Sequence, residues 1–167
     1  KAVIGWLEKA KKPNRLAVLG VSMGGASALN EALGDLHVNA LILDSTHATL
    51  ASAVQARLGQ QGYPLALPAA WGILLGGLIR TGEDMSAIDP VQLIGRFDRP
   101  ILLIYGGKDA SIGPSDSQDM LSAANAGTSS QVREQICPAA QHGQSVDRCR
   151  ADYRGWVLGF LERSLAP

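Results

Sequence analysis

The chain has 167 residues, which is the length of one domain and is enough to bury a sizeable core. Its 46% hydrophobic and 18% charged residues are typical of a folded globular protein and exclude a disordered or collagen-like one. Fifteen basic and fifteen acidic residues give a formal charge of zero, so we expect neither nucleic acid nor an anionic membrane surface as a partner.

Short apolar runs alternate with helical patterns along the chain. The apolar runs predict four strands, at residues 15–20, 38–43, 100–105 and 131–136. The remaining patterns predict helices, at residues 2–12, 22–34, 49–82 (with breaks at 59–64), 88–97, 115–124 and 147–165. Apolar strands that alternate with helices form parallel βαβ units, so the predicted class is α/β, a mostly parallel sheet with helices on both faces.

Residues 20–24 read Gly-Val-Ser-Met-Gly between an apolar strand and an Ala-rich helix. A serine in so sharp a strand-to-helix turn has a strained backbone, so its neighbours Gly20 and Gly24 need to be small. The turn would lift Ser22 Oγ above the sheet at a helix N-terminus, where the Met23 N–H could donate to a developing oxyanion. The alternative is that Ser22 only caps the helix.

A nucleophilic serine needs a base and an acid that orients the base. Asp109 follows the third predicted strand, at the edge where parallel sheets hold ligands, and is the predicted acid. Asp44, at the end of the second strand, is the rival, although helix capping or loop pinning suits it better. His142 follows the last strand and is the predicted base, with His47 at the same edge as its competitor. His37 precedes the second strand, at the opposite end from this edge, and is interpreted as a surface residue.

The chain order Ser22, Asp109, His142 resembles that of the α/β-hydrolase fold family, whose triad runs nucleophile, acid, histidine. Residues 22–25 (SMGG) resemble the family's nucleophile elbow. Residues 100–112 resemble its Pro–hydrophobic strand–His–Gly-x-x-Asp segment, with Tyr105 in place of the usual His. Residues 139–142 resemble its Gly-x-Gly-His, with Ala and Gln in place of the glycines. The similarity covers nearly the whole chain and points to the esterase, lipase and serine-aminopeptidase-like branch.

This resemblance implies a serine hydrolase that cleaves a carboxylic ester through an acyl-enzyme, with Ser22, Asp109 and His142 as its triad. The family's first four strands, and the loop that supplies a second oxyanion donor, have no counterpart here. Because the chain also opens at Lys1 rather than Met, we expect a piece of a longer protein, from the nucleophile elbow onward. A missing N-terminal segment or a partner chain would then cover the unpaired edge of the first strand.

Residues 49–82 occupy the place of the family's helical cap. Their apolar character suits a small hydrophobic acyl ester as substrate, while the alternative is that these helices simply pack on the sheet. The longest uncharged stretch, at 65–79, contains Pro68 and glycines and is short for a membrane span. The sequence has no HExxH, GxxxxGK[ST] or clustered metal ligands, so we expect no metal and no cofactor.

Three questions stay open at this point. Cys137 and Cys149 flank His142 and could close a loop around it in an oxidising compartment, although the cytoplasm, where they would be thiols, is slightly favoured. A dinucleotide-binding module is disfavoured because Ser22 stands where a second glycine would admit pyrophosphate. The chain could also be a non-catalytic or incomplete hydrolase-like scaffold that only binds a ligand or partner.

Overall fold

The computed structural model describes residues 2–11, 13–35, 37–82, 89–129 and 131–166. Its four strands form one parallel sheet in the order β1–β2–β3–β4. The strands are β1 (Leu16–Val21), β2 (Val38–Asp44), β3 (Ile101–Gly106) and β4 (Val132–Cys137). Each predicted strand is confirmed, with boundaries that differ by no more than one residue.

The helices before, between and after the strands follow the predicted pattern. They are α1 (Ala2–Lys11), α2 (Met23–Leu33), α3 (Leu50–Gln60), α4 (Ala66–Thr81), α5 (Pro90–Leu93), α6 (Pro114–Ala126), α7 (Ser145–Arg148) and α8 (Arg150–Ser164). A 3₁₀ turn, Ile94–Arg96, extends α5, and residue 88 of that predicted helix lies outside the described residues. The single closing helix predicted at 147–165 was wrong in one respect, because the non-helical backbone of Cys149 separates α7 from α8.

Alternation along the central strands builds a core on each face of the sheet. Leu41 and Leu43 of β2 and Leu103 of β3 pack on one face, with buried residues of α2 and α6. Ile42 and Ile104 point to the other face, where Phe160 of α8 joins them. Strands that are buried on both faces require continuous apolar runs, which explains the near absence of polar residues in β2 and β3. Helices on both faces are therefore confirmed.

The register of the sheet brings the carboxyl ends of its strands to one edge. Val21 pairs with Asp44, Asp44 with Ile104, and Gly106 with Cys137. The loops that follow these residues carry Ser22, Asp109 and His142. Three side chains that are as much as 120 residues apart in sequence can therefore meet above one edge of the sheet.

The two helices of residues 49–82 pack against each other beside that edge. The predicted break between them is confirmed by the turn that separates α3 from α4. Most large apolar side chains of α4 are exposed rather than packed on the sheet, including those of Trp71, Ile73, Leu75 and Ile79. None of the described helices has both the length and the apolar character needed to cross a membrane.

Candidate active site

Ser22 occupies the turn between β1 and α2 in a conformation that L-residues rarely adopt. Its φ is 54° and its ψ is −123°. Its backbone N–H donates to Asp44 O at 2.8 Å, and its carbonyl accepts from Gly25 N at 2.9 Å. These bonds hold the strained turn in place, and strain of this kind is concentrated at functional sites. Its side chain makes no capping hydrogen bond to α2, so capping does not explain the serine.

Two glycines, Gly20 and Gly25, are sterically required at this turn, whereas the sequence predicted Gly20 and Gly24. A Cβ on Gly20 would lie 2.4 Å from Gly24 O, so Gly20 has to be small, as expected. A Cβ on Gly24 would meet nothing within 4 Å, whereas one on Gly25 would lie 1.9 Å from Thr46 Oγ1. The steric demand assigned to Gly24 was therefore wrong. It falls on Gly25, because the helix packs directly against the end of β2.

The side chains of Ser22, His142 and Asp109 form a continuous chain of hydrogen bonds. Ser22 Oγ lies 2.7 Å from His142 Nε2, and His142 Nδ1 lies 2.9 Å from Asp109 Oδ2. Asp109 Oδ1 accepts from the backbone N–H groups of Ser111 and Ile112, at 2.8 and 3.0 Å. Both oxygens of this buried carboxylate are thus engaged, one by the imidazole and one by its own loop.

The electrostatics of this chain suit a histidine that accepts a proton. The hydrogen bond with Asp109 is the main cause that raises the pKa of His142, while burial acts in the opposite direction. The charges of Asp109 and Asp44 raise it further. Burial alone would raise the pKa of Asp109, but its hydrogen bonds with His142, Ile112 and Ser111 outweigh burial and lower it. Asp109 is therefore a stable carboxylate beside a basic imidazole.

The loop that carries His142 is attached to the sheet from two sides. The Gly143 N–H donates to Ser45 Oγ at 3.1 Å, and Ser45 Oγ in turn donates to Asp44 Oδ1 at 2.9 Å. Cys137 and Cys149 form a disulfide bond across the loop. Asp44, the rival acid, supports this loop from beneath through its hydrogen bond with Ser45, rather than through a hydrogen bond to His142. Burial raises the pKa of Asp44, although hydrogen bonds with Ser45 and Tyr153 oppose the change.

The two other histidines lie in different surroundings. His37 is exposed and contacts Asp35, with 3.1 Å between Nδ1 and Oδ1. His47 lies at the predicted edge, and its ring centroid is 5.6 Å from that of His142. Its Nδ1 is 3.6 Å from Asp116 Oδ2, and it is His142 rather than His47 that contacts Ser22.

A cleft of about 660 Å³ opens above Ser22 and His142. One face of α2, including Ala26 and Asn30, forms one side, and one face of α3, including Leu50 and Ala53, forms the other. Apolar side chains dominate these walls near the serine. Met23 is the first residue of α2, and the first N–H groups of a helix have no partner within it. Among the described residues no group of three His, Cys, Asp or Glu side chains could hold a metal ion.

No protein-family model matches the sequence, and a comparison with curated proteins finds no match either. Solved structures, in contrast, superimpose on nearly the whole chain. An esterase of Pyrococcus furiosus superimposes with a TM-score of 0.76 at 19% identity, over 98% of this chain and 60% of the esterase. The chain has an α/β-hydrolase fold.

Other α/β-hydrolase structures give the same result. An acylaminoacyl peptidase of Pyrococcus horikoshii has a TM-score of 0.72 at 18% identity, over 98% of this chain and 26% of the peptidase. The esterase domain of a Rhodothermus marinus protein has a TM-score of 0.68 at 20% identity, over 97% of this chain and 65% of that domain's chain. The chain thus spans about 60% of the Pyrococcus furiosus esterase, and identities this low establish the fold alone.

The sequence patterns did not reveal every residue that builds this candidate site. Ser45 bonds to the loop of His142, Gly25 admits Thr46, and Asp116 faces His47, but each of these pairs joins distant parts of the chain. A local signal existed for Ser45 alone, since a polar run, 44–46, directly follows an apolar strand.

Proposed function

We propose that this chain carries the catalytic machinery of a serine hydrolase that cleaves carboxylic esters. One observation carries the proposal, namely the hydrogen-bonded chain from Ser22 Oγ through His142 to Asp109. A serine hydroxyl is a weak nucleophile unless a base takes its proton, and the base needs a group that fixes its tautomer. Ser22 as nucleophile, His142 as base and Asp109 as orienting acid meet both needs.

The proposed reaction has two halves. His142 Nε2 takes the proton of Ser22 as Oγ attacks the acyl carbonyl, and the Met23 N–H donates to the oxygen that becomes negatively charged. The protonated His142, stabilised by Asp109, then gives the proton to the departing alcohol, which leaves an acyl-Ser22. In the second half His142 activates water, the water attacks the acyl group, and the proton returns to Ser22 as the acid departs.

Two observations support an ester as the proposed substrate class. Ala26, Leu50 and Ala53 present apolar surface beside the serine, which suits a small hydrophobic acyl group. Esterases are among the solved structures of this fold that superimpose on the chain, and a peptidase is another. We favour an ester because its alcohol leaves more readily than an amine.

A second candidate function is a hydrolase-like scaffold that binds a ligand or partner without turnover. It is favoured by the fact that the chain spans about 60% of the esterase that it resembles. Within the described residues the site offers the Met23 N–H as one candidate oxyanion donor, and loss of one such donor elsewhere lowers turnover by about 10² to 10³. A segment supplied from outside this chain would raise activity under the first proposal and would not create it under the second.

Hydrolysis of 4-nitrophenyl esters from acetate to decanoate tests the proposal directly. We expect turnover of the short chains, and a decrease in kcat of at least about 10³ in the variants Ser22→Ala and His142→Ala. The matched control is Ser117→Ala, because Ser117 lies on α6 and its hydroxyl donates within that helix, to Pro114 O. Equal hydrolysis by the wild-type chain and Ser22→Ala would exclude Ser22 as the nucleophile.

A further inference from the structure

A second cleft, of about 480 Å³, lies next to the one above Ser22. Ala56, Gln60 and Ser111 line both clefts. Gln60 Nε2 donates a hydrogen bond to Ser111 Oγ, and this bond joins α3 to the loop after β3. The two clefts are therefore neighbouring compartments whose shared wall includes one side-chain hydrogen bond.

Asp116, in the first turn of α6, supplies the charge of the second cleft. The residue is only 9% exposed, yet its carboxylate accepts no hydrogen bond from any residue that the structure describes. His47 approaches it from the side of the first cleft. The 3.6 Å between Nδ1 and Oδ2 allows an ion pair, with the histidine charged only if protonated, but is too long for a hydrogen bond. That Nδ1 is itself buried without a hydrogen-bond partner in the described chain.

A buried carboxylate without hydrogen bonds is costly unless something else compensates its charge. Asp116 lies in the first turn of α6, where the helix dipole favours negative charge. The remaining polar residues that line the second cleft are neutral, and no basic side chain of the described residues lines it. These polar neutral residues are Ser52, Gln55, Gln60, Ser111 and Ser115. A cationic ligand group would complete this set.

We propose that the second cleft is a subsite for an ammonium group of the substrate, with Asp116 as its specificity-determining residue. The inference rests on the proposed function, since it places the ester at Ser22 and the cation beyond Gln60 and Ser111. A substrate that spans both clefts places a fixed positive charge beside Asp116. Asp116 takes no part in the reaction, so it changes which ester binds rather than how the ester is cleaved.

The test compares two esters of the same size, the acetate of choline and the acetate of 3,3-dimethylbutanol, which differ only in the positive charge. Isothermal titration uses the Ser22→Ala chain, so that binding is measured without turnover. We expect the choline ester to bind at least about tenfold more tightly than its uncharged counterpart. Asp116→Asn should remove this preference, and Asp119→Asn, an exposed carboxylate on the same helix, should leave it intact.

Two results would overturn the subsite: equal affinity for the two esters, or a preference that survives Asp116→Asn. Since Asp116→Asn removes a buried charge that makes no hydrogen bond to the described residues and keeps the shape, the variant should fold at least as well as the wild-type chain. Tetramethylammonium chloride provides a check on the wild-type chain, because it should compete with the choline ester more strongly than sodium chloride at equal ionic strength. Hydrolysis of the uncharged ester by the wild-type chain tests the proposed function separately from the subsite.

Discussion

The backbone N–H of Gly143 donates a hydrogen bond to Ser45 Oγ, and this bond connects the loop of His142 to the carboxyl end of β2. Ser45 is fully buried and has a φ of 52°, so its backbone is strained in the same sense as that of Ser22. Both strained serines thus lie at one edge of the sheet. Ser45 holds the loop of His142 from below, and the imidazole contacts Ser22.

Ser45→Gly should reduce activity without removing any of the reacting groups. Glycine adopts positive φ freely, so the variant loses the hydroxyl and not the backbone conformation. The Gly143 N–H then has no acceptor in Ser45, and the His142 loop loses one attachment. We expect kcat to fall by about tenfold with little change in KM, since a small misplacement of a catalytic group is costly. Steady-state kinetics checks this, and an unchanged kcat would show that the loop is held by other contacts.

Gly25→Ala should destabilise the fold, whereas Gly24→Ala should not. The added Cβ at Gly25 would lie 1.9 Å from Oγ1 of the buried Thr46, while one at Gly24 meets nothing within 4 Å. Overpacking of this kind costs about 1–3 kcal/mol of unfolding free energy. Urea unfolding of the two variants measures the difference.

Thr46→Ala provides the rescue, because Thr46 Oγ1 has no hydrogen-bond partner among the described residues. Combined with Gly25→Ala it should restore most of the lost stability. If Gly24→Ala were as destabilising as Gly25→Ala, the packing described for α2 against β2 would be incorrect.

The disulfide between Cys137 and Cys149 should stabilise the protein and preserve its activity. It closes a loop whose ends are 12 residues apart and which contains His142. Loops of this length gain about 3 kcal/mol from the restricted unfolded state. The double variant Cys137→Ala, Cys149→Ala should lower both Tm and kcat. A reducing agent should lower the Tm of the wild-type chain and leave that of the double variant unchanged, and a wild-type Tm that is insensitive to reduction would contradict the prediction.

The pH dependence of Ser22 labelling should reveal the effect of the Asp44 charge on the pKa of His142. In the proposed mechanism Ser22 is activated only while His142 is neutral. The pKa of His142 lies above its ordinary value of 6.5, chiefly through the hydrogen bond with Asp109. Reactivity should therefore rise with pH through a midpoint above 6.5. Asp44→Asn removes one of the charges that raise this pKa, so the midpoint should move to lower pH. The labelling rate of Ser22 across pH measures it, and an unchanged or higher midpoint would contradict the assignment.

The sequence allowed the sheet to be predicted well because β2 and β3 are buried on both faces. Continuous apolar runs such as 100–105 leave little ambiguity about strand position, and the GxSxG pattern places Ser22 directly after one of them. The order of Asp109 and His142 along the chain then agrees with a resemblance to one fold. Parallel pairing alone brings the ends of these strands to one edge.

The contacts between distant loops could not be predicted in the same way. Two such contacts form only after α2 and α6 have packed on the sheet, namely Gly25 with Thr46 and Asp116 with His47. Neither pair has a characteristic spacing in the sequence. Similarly, the separation of α7 from α8 arises where Cys149 bonds to Cys137, which a helical periodicity does not reveal. Side-chain choices of this kind depend on tertiary packing rather than on local propensity.

Covalent labelling with a fluorophosphonate tests the central claim most directly, because it detects an activated serine without requiring a substrate. Intact-mass spectrometry should show one adduct per wild-type chain, located on Ser22. Ser22→Ala and His142→Ala should show none, while Ser117→Ala should label like the wild-type chain. A folded wild-type chain that forms no adduct, or an adduct that persists in Ser22→Ala, would contradict the claim that Ser22 and His142 form an assembled nucleophile and base.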